Sequence, residues 1–216
     1  MSWEKLFYAI LFSASLAMGS AAQATLLING SFENGPSNFG GSSFITLSGG
    51  STALPGWTVT GRTIDYHGPT WLFSDGIRGV DLDGFFSIAG IQQPFATVPG
   101  SEYLVSFDFA GNPEGLPTIK NMRVTVDTFL QDFSINPSGQ TRGALVWMPE
   151  SFSFVASGIS ATLAFTSLSP SGNSWGPMID NVSVTLSTSN GVPEPTTLLL
   201  LGIGLAGLGF ARRRLH

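Results

Sequence analysis

From Tyr103 onward the chain alternates apolar and polar residues. In EYLVSFDF, Tyr103, Val105, Phe107 and Phe109 share one face while Ser106 and Asp108 take the other. Met122, Val124 and Val126 oppose Arg123, Thr125 and Asp127 in the same way. Phe152 with Phe154, Leu163 with Phe165, and Val182, Val184 and Leu186 continue the pattern. A period of two is the pattern of strands with one buried face. Turn-forming clusters separate the runs: Pro99-Gly100, Asn112-Pro113, Asn136-Pro137-Ser138-Gly139 and Pro170-Ser171-Gly172-Asn173. Residues 25–187 contain no amphipathic helical pattern. Many short strands joined by such turns predict an all-β fold, a two-sheet sandwich or jelly roll. The Gly/Ser-rich stretch Gly35–Pro55 is expected to be a long loop flanking one short strand, Ser43–Leu47.

The two ends break this pattern. Lys5 precedes an apolar run, Leu6–Met18, and Ala22-Gln23-Ala24 fits the small-x-small cleavage rule. Residues 1–24 therefore read as a signal peptide, cleaved after Ala24. Near the other end, Thr196–Ala211 carries no charge and spans roughly 24 Å as a helix, against a hydrocarbon core of ~30 Å. Arg212, Arg213 and Arg214 follow, and positive charge stays on the cytoplasmic side, which places the preceding domain outside. Pro193 and Pro195 delimit the start of the apolar helix, 196–211. Taken alone, these features also describe a plain single-span anchor.

The order Val192-Pro193-Glu194-Pro195, TTLLLLGIGLAGLGF, ARRRLH resembles a PEP-CTERM sorting signal. That resemblance implies an exosortase-type membrane protease that reads the Pro-Glu-Pro motif and removes the tail. The inner membrane is then a transient partner, much as in glycolipid-anchor signals. It also implies Gram-negative bacteria that make exopolysaccharide, with the domain ending at the cell surface or in the extracellular matrix. The chain divides into a signal peptide (1–24), one β domain (25–187), a polar linker (188–191) and a sorting tail (192–216).

Composition narrows the function. Five basic residues stand against twelve acidic ones in residues 25–187, a net charge of −7. An acidic domain without a basic cluster argues against nucleic acid as a partner. The absence of cysteine excludes a disulfide framework and thiol chemistry. His67 is the domain's sole histidine, so no two-histidine metal site can form. No G-x-S-x-G elbow and no phosphate-cradling glycine loop with a following lysine occur. A non-catalytic domain is expected. A pair among twelve acids acting on a glycosidic bond is the enzymatic alternative.

Four patterns occur in order: Asn29-Gly30-Ser31-Phe32-Glu33; Gly79-Val80-Asp81-Leu82-Asp83-Gly84 with Gly90-Ile91-Gln92-Gln93; the run Val98–Pro113; and Gly176-Pro177-Met178-Ile179-Asp180-Asn181-Val182. Together they resemble the choice-of-anchor C family and related plant cell-wall domains of unknown function. Those domains are similar to galactose-binding-type jelly rolls, the fold of many carbohydrate-binding modules. The resemblance implies first and last strands lying close together, with Glu33 and Asp180 holding a structural calcium, a hard cation that takes oxygen ligands. Read from chemistry alone, Glu33 equally suits a turn cap and Asp180 a backbone acceptor.

Asp81 and Asp83, two apart, share a face of any strand, where they suit a cation, a sugar cleft or a solvated strand end. Aromatic rings stack on sugar faces when exposed and pack the core when not. Trp57, Trp71, Trp147, Trp175 and Tyr66 face that choice. The stretch Asp65–Phe73, with Tyr66, His67 and Trp71, is the best candidate for a ligand-binding loop. The expectation is an exported surface or matrix protein with a carbohydrate-binding-like domain and a polysaccharide ligand. A purely structural matrix protein is the alternative.

Overall fold

A computed structural model describes residues 24–85, 88–169 and 174–187. Ala22 of the signal peptide, the linker, the motif Pro193-Glu194-Pro195, the apolar segment 196–211 and Arg212–Arg214 lie outside the described residues. Within them the chain forms eleven strands and no helix. These are β1 (Phe44–Ser48), β2 (Thr58–Gly61), β3 (Thr63–His67), β4 (Gly79–Asp81), β5 (Ala89–Ala96), β6 (Glu102–Gly111), β7 (Lys120–Val126), β8 (Phe129–Ile135), β9 (Met148–Val155), β10 (Ser160–Ser167) and β11 (Pro177–Leu186).

They pair antiparallel in two sheets. One has six strands in the order β1-β3-β4-β11-β6-β9, and the other five in the order β2-β5-β10-β7-β8. The expected alternation sets which side chains point inward. Tyr103, Val105, Phe107 and Phe109 of β6, Met122, Val124 and Val126 of β7, and Leu163 and Phe165 of β10 are all buried. Phe165 packs at 5.1 Å from Phe107 and 6.3 Å from Trp57, centroid to centroid, joining the sheets. Burying each such ring contributes about 1.5–3 kcal/mol. Val182 and Val184 also face inward, but Leu186, expected with them, is 41% exposed at the end of β11. The short strand expected at Ser43–Leu47 forms as β1, one residue later at each end.

The antiparallel register gathers loops at two opposite ends. One end holds residues 112–119, 136–147, 168–169 and 174–176, with the start of β11 and the ends of β6 and β10. The other holds residues 97–101, 127–128 and 156–159, with the point where β11 leaves the sheet. At that second end Ser187 N–H donates to the Glu102 carbonyl at 2.8 Å, which fixes where the chain departs toward its C-terminus.

Candidate functional site

The first and last of the four ordered patterns meet. Val182 N–H donates to Gly30 O at 2.9 Å, and Leu26 N–H to Val184 O at 2.7 Å. Any Cβ on residue 30 would overlap the Val182 carbonyl, so only glycine allows this approach. Asn29, in the left-handed region at φ 56°, closes the turn by bonding Asn34 N–H and Asn34 O. Phe32 is buried, and its carbonyl accepts from the Tyr66 hydroxyl at 2.7 Å. This N-terminal segment lies beside β11 as turns rather than as a strand.

Glu33 and Asp180 converge on one loop, residues 74–78. Glu33 Oε1 accepts from Ile77 N–H at 2.8 Å and Arg78 N–H at 2.9 Å. Asp180 Oδ2 accepts from Ser74 N–H, the Ser74 hydroxyl and Asp75 N–H at 2.9–3.1 Å. Asp180 is fully buried, and burial pushes its pKa up to about 7 against these bonds. The arrangement is that of two carboxylates anchoring a loop from chain positions far apart. An ion at this pair would displace or share these N–H contacts, so the calcium assignment rests on the resemblance.

The candidate stretch Asp65–Phe73 is not a surface loop. Its first part is β3, and Tyr66, His67 and Trp71 are buried. The physical reason is a second small core. Trp71, Phe73, Ala110, Leu145 and Met178, with Trp147 against them, cover part of the outer face of the six-stranded sheet. His67 lies beneath, its ring 4.5 Å from Trp71 in an edge contact. Burial first, and the nearby Arg142 second, hold the imidazole down to about 3, so it is neutral. Neither of its nitrogens has a hydrogen-bond partner, which suits a ring used for packing. Tyr66 serves the main core. These three residues therefore do not present a ligand platform.

Asp81 and Asp83 are also buried, and they do not form a solvated strand end. Asp81 sits opposite Asp65 on β3 and Met178 on β11. Its Oδ1 accepts from Asp83 N–H at 2.9 Å and Gly176 N–H at 3.0 Å, and its Oδ2 from Asn112 Nδ2 at 2.7 Å. The Asp83 carboxylate oxygens accept no hydrogen bond of sound geometry, although Ser167, Ser169 and Lys120 face them closely enough to offset part of the effect of burial. Burial, and then the mutual repulsion with Asp83, raise Asp81 well above the usual carboxylate range. Asp65, bonded by the Thr46 hydroxyl at 2.6 Å, is pushed up to about 6 by burial.

Lys120 completes this network. Its side chain is fully buried, and its ammonium donates to Gly115 O and Trp175 O at 2.7 Å each. Burial lowers its pKa, and the two aspartates oppose that change. Asp81 thus ties down residues 112 and 176, and Lys120 ties down 115 and 175, so charged groups set the shape of the loops at this end. A hollow opens there, lined by Pro113, Gly115, Leu116, Thr118, Pro137 and Ser138. The Trp175 ring lies over Gly115 and is 37% exposed. Of the four candidate tryptophans, Trp57 and Trp71 are buried and Trp147 is partly buried, its Nε1 donating to Leu72 O. Trp175 is the one held at the surface beside a concavity.

The outward face of the five-stranded sheet is open as well. Thr58, Gln92, Ala164, Thr125 and Leu130 form one row across it, and Thr60, Gly90, Thr166, Arg123 and Asp132 the next. Among the described residues its ion pair is Arg123–Asp132 at 2.7 Å. The face is polar and nearly neutral, and no aromatic ring stands in either row.

A family model described as a protein of unknown function (DUF642) matches residues 25–185, and a PEP-CTERM protein-sorting motif matches residues 191–214. Halomucin of Haloquadratum walsbyi is 30% identical over 172 residues, which is 78% of this chain and 2% of halomucin. The chain therefore spans a very small part of that relative's length. Among solved structures, TmCBM61 in complex with β-1,4-galactotriose superposes with a TM-score of 0.51 at 16% identity, over 76% of this chain and 100% of that one. Arabinose-bound MgGH51 α-L-arabinofuranosidase superposes with a TM-score of 0.52 at 13% identity, over 79% of this chain and 28% of the enzyme's. At these identities the likeness establishes a shared jelly-roll sandwich.

Proposed function

The chain belongs to the DUF642 family of proteins of unknown function and carries a PEP-CTERM sorting motif, and from that premise we propose that it is an exported surface protein whose β-sandwich binds polysaccharide without catalysis. An exosortase-type protease reads Pro193-Glu194-Pro195 in this proposal, and the released domain associates with surface or matrix glycan. The supporting observation is the exposed Trp175 ring beside the hollow of residues 113–118 and 137–138. Buried bonds to Asp81 and Lys120 hold its backbone, so a ring-stacking surface is preformed and little ordering is lost on binding. The shared fold with a module crystallised with a galactotriose supports the ligand class. A structural calcium held by Glu33 and Asp180 belongs to the same proposal, as a clamp between the loop of residues 74–78 and β11.

Binding of the mature chain to galactans, arabinans and other neutral polysaccharides by affinity electrophoresis tests the proposal. Trp175→Ala should weaken retention by roughly tenfold, equivalent to ~1.4 kcal/mol of lost stacking, with an unchanged melt. Equal retention of parent and variant on every retarding glycan would refute this site. A second reading, a matrix protein without a ligand, is favoured by the burial of Tyr66, His67 and Trp71. Lack of retention by any glycan would select it.

A further inference from the structure

The end of the sandwich opposite Trp175 is apolar at its tips. Val98, Val155 and Ile159 are 60%, 58% and 80% exposed, and Leu186 beside them is 41% exposed. The backbone that carries Val98 and Ile159 is tied to the end of β9. Thr97 N–H donates to Ile159 O, Gly100 N–H to Ala156 O and Ala156 N–H to Ser101 O, so the loops 97–101 and 156–159 are stitched together. Asp127 extends the stitching by accepting from Ser157 N–H and its hydroxyl at 2.6 Å. Val98 N–H donates to the Tyr103 hydroxyl oxygen at 2.8 Å, which fixes the position of Val98. Neighbouring exposed aliphatic side chains on an ordered end call for a partner surface.

The chain itself names the occupant. Ser187, bonded to Glu102, leaves the domain at this end, and Glu102 pairs with Val155. Residues 188–195 then extend at most about 26–29 Å before the uncharged segment 196–211 begins. While that segment lies in a bilayer, the short linker holds this end, and not the Trp175 end, toward the lipid. The geometry points to a docking role: Val98, Val155 and Ile159 rest on the lipid surface until the tail is cut. This inference rests on the sorting-tail reading. No lysine or arginine stands in the three loops, whose charged neighbours are Asp127 and Glu102. The contact is therefore apolar and does not call for anionic lipid. So few aliphatic groups bind lipid weakly on their own, and tethering supplies the effective concentration that keeps them there. Cutting the linker removes both attachments at once, and the domain departs with its glycan-facing end already pointing outward.

The chain has no cysteine, so single-cysteine variants can be labelled cleanly. The full chain is placed in phosphatidylcholine vesicles with an environment-sensitive fluorophore at Ile159→Cys, Leu116→Cys or Gly204→Cys. Quenchers are iodide in water and a nitroxide carried on lipid. The expected result is lipid quenching with a blue shift at Gly204→Cys and Ile159→Cys, and iodide quenching alone at Leu116→Cys. Replacing Val98 by Asp should abolish the lipid quenching at Ile159→Cys without altering the melt. Lipid quenching at Gly204→Cys with iodide quenching at Ile159→Cys would overturn the docking and leave the tail reading standing. Iodide access at Gly204→Cys would overturn both. Protection of Ile159→Cys from both quenchers would mean that a second copy or the tail covers it, and would also overturn lipid docking.

Discussion

Removing the Asp81 carboxylate tests whether the buried network shapes the Trp175 end. In Asp81→Ala three buried donors lose their acceptor: Asp83 N–H, Gly176 N–H and Asn112 Nδ2. Each orphaned donor costs about 1–3 kcal/mol, and partial relaxation together with relief of the repulsion from Asp83 brings the sum to roughly 3–5 kcal/mol. For a domain of this size ~1 kcal/mol lowers the melting temperature by about 2–4 °C, so a fall of roughly 8–15 °C is expected. Asp81→Asn keeps one acceptor oxygen and should cost only about 1–2 kcal/mol, because its amide then faces that of Asn112. Calorimetric melts of the parent and both variants give the ranking. Hydrogen exchange gives the location, with faster exchange expected at Gly176 and Asp83 before the core strands respond. An Asp81→Ala melt within about 2 °C of the parent would refute the reasoning, since it would mean that the three donors find other partners at no cost.

Stability should fall as pH rises from 5 to 8. Asp180, at about 7, and Asp65, at about 6, have folded pKa values above the unfolded value of about 3.9. Their contribution is complete below about 4 and is lost as pH climbs through 6 and 7, while His67, held near 3, opposes them only below about 6.5. Asp180→Asn should flatten the upper part of that slope in melts taken across the range, and an unchanged slope would count against a buried, partly protonated Asp180. Calcium at a hundredfold excess over its Kd should stabilise the parent by about 2.7 kcal/mol and leave Asp180→Ala unmoved; equal parent melts in calcium and in chelator would leave Glu33 and Asp180 as loop anchors alone. Mass spectrometry of the native mature protein should find a start at Thr25 and no peptide beyond the sorting motif, whereas a peptide ending at His216 would mean a simple anchor.

The strands were legible from the sequence because a half-buried strand imposes its period of two on neighbouring residues, and Tyr103–Phe109 and Met122–Val126 display it. The sorting tail was legible for a similar reason: a bilayer selects for a run of adjacent apolar residues with flanking charge. Lys120 could have been found in the same way. It lies in phase with Met122, Val124 and Val126, so the alternation already turns it inward, where a lysine requires fixed acceptors. The sequence could not show what covers the outer face of the six-stranded sheet. Tyr66, His67 and Trp71 have the same composition whether they meet sugar or protein, and the residues that bury Trp71 include Leu145 and Met178, far along the chain. Asp81 and Asp83 share a face by spacing alone, but the burial that raises their pKa values, and the Asn112 and Lys120 groups that oppose that rise, are brought to them only by the folded chain. Local periodicity is a property of adjacent residues and survives in the sequence; solvent exposure and charge environment depend on residues distant along the chain, so the tertiary structure alone decides them.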